Sequence, residues 1–121
     1  MIGNNSFFQP TEGALPPKEV RFTGLTTEPW PDGKRILLLV TVTPFQKPPN
    51  MHATVYDAAG NEVSSIHVIE FAEDRLALTV HLQSTEKIDG IYTLTANLYY
   101  PDLGPVDEIK AEFETHEASS E

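Results

Sequence analysis

The chain has 121 residues, a length typical of one domain, and 40% of them are hydrophobic, which is enough to build a core. Acidic residues outnumber basic ones by 18 to 8, so the formal net charge is −10 and the protein's own field repels polyanions. Nucleic acid and anionic membrane surfaces are therefore excluded as expected partners. The absence of cysteine excludes disulfides, thiolate nucleophiles and cysteine-based metal sites.

The two ends of the chain differ in composition from the segment between them. Residues 1–17 mix Gly, Asn, Pro and polar residues without a period, which predicts a flexible or draped N-terminal arm. Residues 116–121 are polar and acidic, which predicts a disordered C-terminal tail. Residues 18–115 carry Pro or Gly clusters about every ten residues, a spacing typical of an all-β sandwich or barrel.

The stretches between these clusters predict seven strands, because each is rich in β-branched residues or alternates apolar with polar residues. The predicted strands cover residues 18–26, 34–43, 51–56, 62–69, 75–82, 90–100 and 106–115. Alternation assigns three inward faces: Ile36, Leu38, Val40 and Val42; Leu76, Leu78, Val80 and Leu82; and Tyr92, Leu94, Ala96 and Leu98. Residues 57–61 predict a hairpin turn in which Gly60 or Asn61 takes a positive φ.

Two segments carry a family resemblance. The sequence DGIYTLTA at 89–96 resembles the penultimate strand of immunoglobulin-like and fibronectin type III-like domains, in which a Tyr after a Gly turn forms the tyrosine corner; Tyr92 matches that residue. The sequence VYDAAGNEV at 55–63 resembles the mid-domain hairpin of many bacterial immunoglobulin-like modules. The family's disulfide is absent, and Trp30 precedes the most hydrophobic strand instead of lying in the next one, so an antibody-type domain is excluded. The resemblance implies an all-β, two-sheet antiparallel sandwich of about seven strands.

The sequence contains no recognisable catalytic apparatus. Ser64, Ser65 and Ser84 lie in no nucleophile elbow, and the glycines are isolated turn residues instead of a phosphate-binding loop. We therefore expect no enzyme activity, no catalytic residue and no cofactor.

The histidines are the candidate neutral-pH bases and metal ligands. They are His52, His67, His81 and His116, and none has a partner at the spacing of a metal or catalytic motif. His52 and His81 point outward in the strand pattern and are the pair considered for a chance contact. The expectation is ordinary surface histidines and no transition-metal site.

Aromatic residues are the candidate contacts for a ligand or partner. Aromatic rings supply large rigid contact area and can form a platform that binds sugars or a partner peptide. The candidates for such a platform are Trp30, Tyr56, Tyr99 and Tyr100. The alternative is that Trp30, held between two prolines, folds back and caps one end of the sandwich. Tyr99 and Tyr100 are neighbours on one strand, so they face opposite ways and only one is buried.

Calcium is the ion that the acidic loops suit best, because it prefers hard oxygen ligands. The candidate residues are Asp57 and Asn61 in one loop, and Asp102 and Asp107 in another. The alternative is that these residues only form turns, in which Asp and Asn are also favoured.

The leading functional prediction is a non-catalytic protein-interaction or structural module. This prediction implies an unidentified protein partner. Because the last strand is acidic, it favours a partner segment that is basic. The alternative is a carbohydrate-binding or calcium-dependent adhesion module of an exported protein. Residues 1–10 contain no basic residue and no apolar stretch of signal-peptide length, and no apolar run in the sequence approaches the ~18 residues of a membrane span. We therefore expect no membrane insertion, and either a cytoplasmic chain or a fragment of an exported one.

Overall fold

The computed structural model describes residues 10–31, 33–82 and 90–115. These residues form seven strands, which confirms the prediction from turn spacing. The strands are β1 (Phe22–Pro29), β2 (Arg35–Val42), β3 (Asn50–Tyr56), β4 (Glu62–Val68), β5 (Arg75–His81), β6 (Gly90–Tyr100) and β7 (Gly104–Thr115). A three-stranded sheet has the order β1-β2-β5 and a four-stranded sheet has the order β4-β3-β6-β7, with antiparallel pairing throughout.

The core lies between the two sheets and follows the alternation of the sequence. Every predicted inward residue of β2 and β6 is buried, which confirms those two faces. The fifth strand differs in part: Val80 and Leu82 are buried, but Leu76 and Leu78 are only half-buried. Because β5 is an edge strand of its sheet, it receives less cover than the central strand β2.

The first strand begins later than the sequence predicted. Residues 17–19 form a single 3₁₀ turn, in which the Glu19 amide donates to the Pro16 carbonyl oxygen at 2.9 Å. Pro17 stands at the first position of this turn, where its fixed φ suits a helical start and its missing N–H is not needed. The strand itself runs on to Pro29, which is tolerated because β1 is an edge strand.

Part of the predicted N-terminal arm is tied to the rest of the fold. Leu15 forms an isolated parallel bridge with Phe45, its amide donates to the Pro44 carbonyl oxygen at 3.0 Å, and its own carbonyl accepts from the Gln46 amide at 2.9 Å. Residues 1–9 and the predicted tail at 116–121 lie outside the described residues.

The two ends of the sandwich carry different loops. One, here called the Trp30 end, has the loop between β1 and β2 and the turn at 57–61. The other, here called the Tyr100 end, has the loop at 43–49, the connection after β4 and the turn between β6 and β7. No helix within the described ranges has the length and apolar character needed to span a bilayer.

Candidate functional site

The outer face of the four-stranded sheet presents polar and aromatic side chains in rows across the strands. Pairing places His67 of β4 beside His52 of β3, then Asn97 of β6, then Glu108 of β7. The next row toward the Tyr100 end contains Tyr99, paired with Asn50 on one side and Pro105 on the other. This face therefore brings together residues from four strands that are remote in sequence.

These rows form an open depression at the Tyr100 end of the face, here called the His–Tyr depression. The His52 and His67 ring centroids lie 5.2 Å apart, and the His67 and Tyr99 centroids lie 5.6 Å apart. The Tyr99 hydroxyl also contacts Nε2 of His67. The depression has a volume of about 520 Å³ and is lined by His52, His67, Asn97, Tyr99, Tyr100, Pro101, Gly104 and Pro105.

A β-bulge decides that the two histidines share this face. The register of β3 and β4 shifts between Val55 and Tyr56, so Val63 is an extra residue and His67 pairs with His52. Without the bulge, His67 would pair with Met51 and turn toward the core, because a one-residue slip reverses every side chain. The spacing of apolar residues in β4 indicates this bulge. In a regular strand, residues three apart face opposite sides of the sheet, yet Val63 and Ile66 both contact the core.

The pair of histidines considered for a chance contact, His52 and His81, does not meet. His81 lies on β5, in the other sheet, and pairs with Arg35. His52 meets His67 instead, because the hairpin of β3 and β4 lies within one sheet. Local alternation gives the face of each residue within its own strand, but not which strand lies beside it.

The neighbouring tyrosine, Tyr100, also lines the depression and is held in place by a hydrogen bond. Tyr100 is 1% exposed, and its hydroxyl donates to the Lys47 carbonyl oxygen at 2.8 Å. Burial raises the pKa of Tyr100 to about 12. Tyr99 faces out and is half-buried, so the expectation that only one of the two neighbours is buried is confirmed.

The three aromatic candidates do not form one platform. Trp30 is 38% exposed, and the Arg35 guanidinium carbon lies 3.9 Å from its ring centroid, at the Trp30 end of the three-stranded sheet. Tyr56 is the last residue of β3, at that same end but in the other sheet, and Tyr99 lies near the Tyr100 end. Trp30 is therefore held by Arg35 at the surface instead of capping the core.

The first calcium candidate is a self-contained turn. The Asp57 carboxylate accepts from the Asn61 amide at 2.8 Å and the Ala59 amide at 3.0 Å, and Gly60 has a φ of +88°. Gly60, and not Asn61, thus takes the positive φ. The Asn61 amide, with weaker contributions from the Asn61 side chain and other turn amides, holds the pKa of Asp57 below its ordinary value. The carboxylate is engaged in closing the turn.

The second calcium candidate is divided between two structural roles. Asp102 lies 3.6 Å from the Lys47 ammonium in the turn after β6. Asp107 lies on β7 and accepts from the Phe22 amide at 2.9 Å, which ties the edge strands of the two sheets together. Within the described ranges, no three residues of the types His, Cys, Asp and Glu are grouped so as to hold a metal ion.

The edge strand β7 gives one side of the outer face a negative charge. Glu108, Glu112 and Glu114 alternate along it and are exposed, with Lys110 as the basic residue between them. Lys110 pairs with Thr95 at the middle of β6, so the carboxylates lie on both sides of it along the strand.

Comparison with known proteins identifies the fold and no family. No protein-family model matches the sequence, and no curated protein matches it either. The fold is similar to part of a glycosyl hydrolase family 2 member from Bacteroides cellulosilyticus, with a TM-score of 0.58 and 12% identity over 79% of this chain and 14% of that chain.

Two β-glucuronidases show the same kind of similarity. The FMN-binding enzyme from Facaelibacterium prausnitzii L2-6 gives a TM-score of 0.54 and 19% identity over 78% of this chain and 16% of that chain. The enzyme from Ruminococcus gnavus gives 0.55 and 13% over 80% of this chain and 16% of that chain. The chain thus spans about a sixth of the length of these two neighbours. The likeness is one of fold alone: similar two-sheet β-sandwiches occur as parts of larger glycosidase chains.

Proposed function

We propose that this chain is a non-catalytic interaction module of the immunoglobulin-like, fibronectin type III-like kind, and that it binds through the His–Tyr depression. The strand order supports this kind of sandwich, because β4 pairs with β3 in the four-stranded sheet and leaves β1, β2 and β5 in the other. The absence of the family's disulfide leaves the bacterial or fibronectin-like variety.

The observation that carries the proposal is the depression itself. It combines a half-buried tyrosine ring, two exposed imidazoles, an amide side chain and two prolines in one open concavity of about 520 Å³. Tyrosine and histidine rings offer apolar area together with a hydrogen-bonding tip, and tyrosine is among the residues that carry much of the energy of protein contacts. His52, Asn97 and Tyr99 lie on the central strands β3 and β6, which are paired on both sides.

Charge supports a basic partner. Glu108 of β7 pairs with Asn97 of the depression, Glu112 and Glu114 lie further along the same edge strand, and the whole chain carries a formal charge of −10. A basic segment would be attracted over several ångströms and steered toward this side of the sheet, whereas an acidic one would be repelled. Association should therefore weaken as ionic strength rises.

A capture experiment with matched variants tests the proposal. The immobilised chain, a Tyr99→Ser/His67→Ser variant and a Thr79→Ala control on the other sheet are exposed to the same source lysate at two salt concentrations. We expect the parent and the control to retain the same proteins, and the depression variant to lose them. Equal capture by all three would contradict the proposed surface, and capture that increases with salt would contradict the proposed charge complementarity.

A carbohydrate-binding module is the second candidate, favoured by the glycosidase chains in which similar sandwiches occur. The Tyr99 ring suits stacking on a sugar ring, and Asn97 and His52 supply hydrogen bonds beside it. The calcium-dependent form of this candidate has less support, because the Asp57 carboxylate already closes its own turn.

Calorimetry separates the two candidates. The chain is titrated with a panel of glycans that includes glucuronic acid, with and without calcium. A saturable heat of glycan binding in the parent that disappears in Tyr99→Ser would support the carbohydrate module. If the parent shows no heat of binding with any glycan, that candidate is removed. Hydrolysis of p-nitrophenyl β-D-glucuronide by the purified chain, absent from a mock preparation, would contradict the non-catalytic part of the proposal.

A further inference from the structure

The backbones of the two histidines in the depression are held side by side by strand pairing. His52 and His67 stand directly opposite each other on β3 and β4, and both side chains are exposed. Their ring centroids are 5.2 Å apart and their planes are tilted by 57°. Because both strands belong to one sheet, the attachment points of the two imidazoles are fixed close together without any loop rearrangement.

We propose that His52 and His67 together bind one divalent transition-metal ion of the class that prefers imidazole nitrogen, such as Cu²⁺, Ni²⁺ or Zn²⁺. A metal–nitrogen bond of about 2.1 Å places a ring centroid about 3.2 Å from the ion, so two rings at the tetrahedral angle lie about 5.2 Å apart. The observed separation of 5.2 Å matches this value without movement of either strand.

Tyr99 acts as a positioning residue for this pair. Its hydroxyl contacts Nε2 of His67, so that nitrogen is engaged and Nδ1 is the one that remains for the ion. Metal-bound histidines commonly use their second nitrogen in this way, which fixes the tautomer and the ring orientation. Removing the hydroxyl should weaken binding by about tenfold without abolishing it.

The protein supplies two nitrogen ligands and leaves the other coordination positions open. In the part of the chain that the structure describes, no third carboxylate, histidine or cysteine joins the pair as a metal-binding group. The open depression has room for water or for a donor atom of a bound molecule at those positions. Binding should therefore be weaker than in closed four-ligand sites, with Cu²⁺ bound more tightly than Ni²⁺ or Zn²⁺.

Titration of the chain with CuCl₂, NiCl₂ and ZnCl₂ alone, without glycan or partner, tests the inference independently of the proposed function. We expect saturable binding of one ion per chain, strongest for Cu²⁺. His52→Ala and His67→Ala should each weaken it by clearly more than the about tenfold expected for Tyr99→Phe, because each removes one of the two ligands. Tyr99→Phe should weaken it less, and the matched control His81→Ala, on the other sheet, should leave it unchanged.

Several results would overturn the inference. They are no saturable binding of any of the three ions, an equal loss in His81→Ala, or no loss in His52→Ala and His67→Ala. If the histidine variants fail to fold, the parent chain still decides: NMR signals broadened by Cu²⁺ should be confined to His52, His67 and their neighbours. Broadening centred on His81 or His116 would show that the ion binds elsewhere.

Discussion

Replacing Leu94 by alanine tests the assignment of the core most sharply. Leu94 lies at the centre of β6, is 0% exposed, and pairs with Val55 on one side and Ala111 on the other. Because backbone pairing on both sides prevents the site from collapsing, we expect Leu94→Ala to lower the free energy of unfolding by about 3 kcal/mol, within the usual range for buried Leu→Ala changes. For a chain of this size that corresponds to a fall in Tm of about 10 °C.

The matched control for Leu94 is Leu39→Ala. Leu39 points to the outer face of the three-stranded sheet and is only half-buried, so we expect a loss of about 1 kcal/mol. Urea unfolding of the three proteins, followed by circular dichroism, measures both values. Equal losses in the two variants, or a larger loss in Leu39→Ala, would refute the inward face of β6.

Three further predictions follow from particular contacts. A Cβ at Gly24 would lie 2.7 Å from Thr41 Oγ1, so Gly24→Ala should lower the free energy of unfolding by about 1–3 kcal/mol. Adding Thr41→Ala to that variant should restore part of the loss, because it removes the atom that clashes. If the losses of the two single variants simply add in the double variant, the clash is contradicted. The folded pKa of Asp57 is lowered, so its stabilising effect is present above the ordinary carboxyl pKa and lost as pH falls through the lowered value. The difference in Tm between the parent and Asp57→Ala should therefore be larger at pH 7 than at pH 2, and a constant difference would contradict this. The folded pKa of Tyr100 is raised from 10.0 to about 12, so its stabilising effect is complete below pH 10 and lost as pH rises toward 12. Spectrophotometric titration of the parent should therefore include a tyrosine ionisation near pH 12 that Tyr100→Phe lacks, and identical titration curves above pH 10 would contradict this.

The strands could be predicted because their signals are local. The strand Gly90–Tyr100 has the predicted bounds, since it begins at a glycine, a proline follows it and the apolar residues alternate without interruption. The start of β1 was predicted too early because Pro16 and Pro17 favour a short 3₁₀ turn as well as an extended chain.

The candidate site could be predicted only in part because it depends on cross-strand register. Tyr99 was singled out from the sequence and lines the depression, but Trp30 and Tyr56 lie elsewhere. His67 was named only together with the other histidines, and Asn97 was not named, because their proximity to Tyr99 depends on which strands are paired and on one bulged residue, Val63. Such a contact is a property of the whole sheet, and alternation within one strand does not contain it.

Cross-linking with introduced cysteines tests most directly the pairing on which the fold and the site both depend. The chain contains no cysteine, so a disulfide in a doubly substituted variant has one possible origin. Directly opposed residues on antiparallel strands have Cα atoms about 4.5–5.5 Å apart, within the range that a disulfide requires. His52→Cys/His67→Cys should form an intramolecular disulfide on mild oxidation, measured by thiol counting and intact mass, and His52→Cys/His81→Cys should keep both thiols free. A disulfide in the second variant and none in the first would contradict the pairing of β3 with β4 and, with it, the His–Tyr depression.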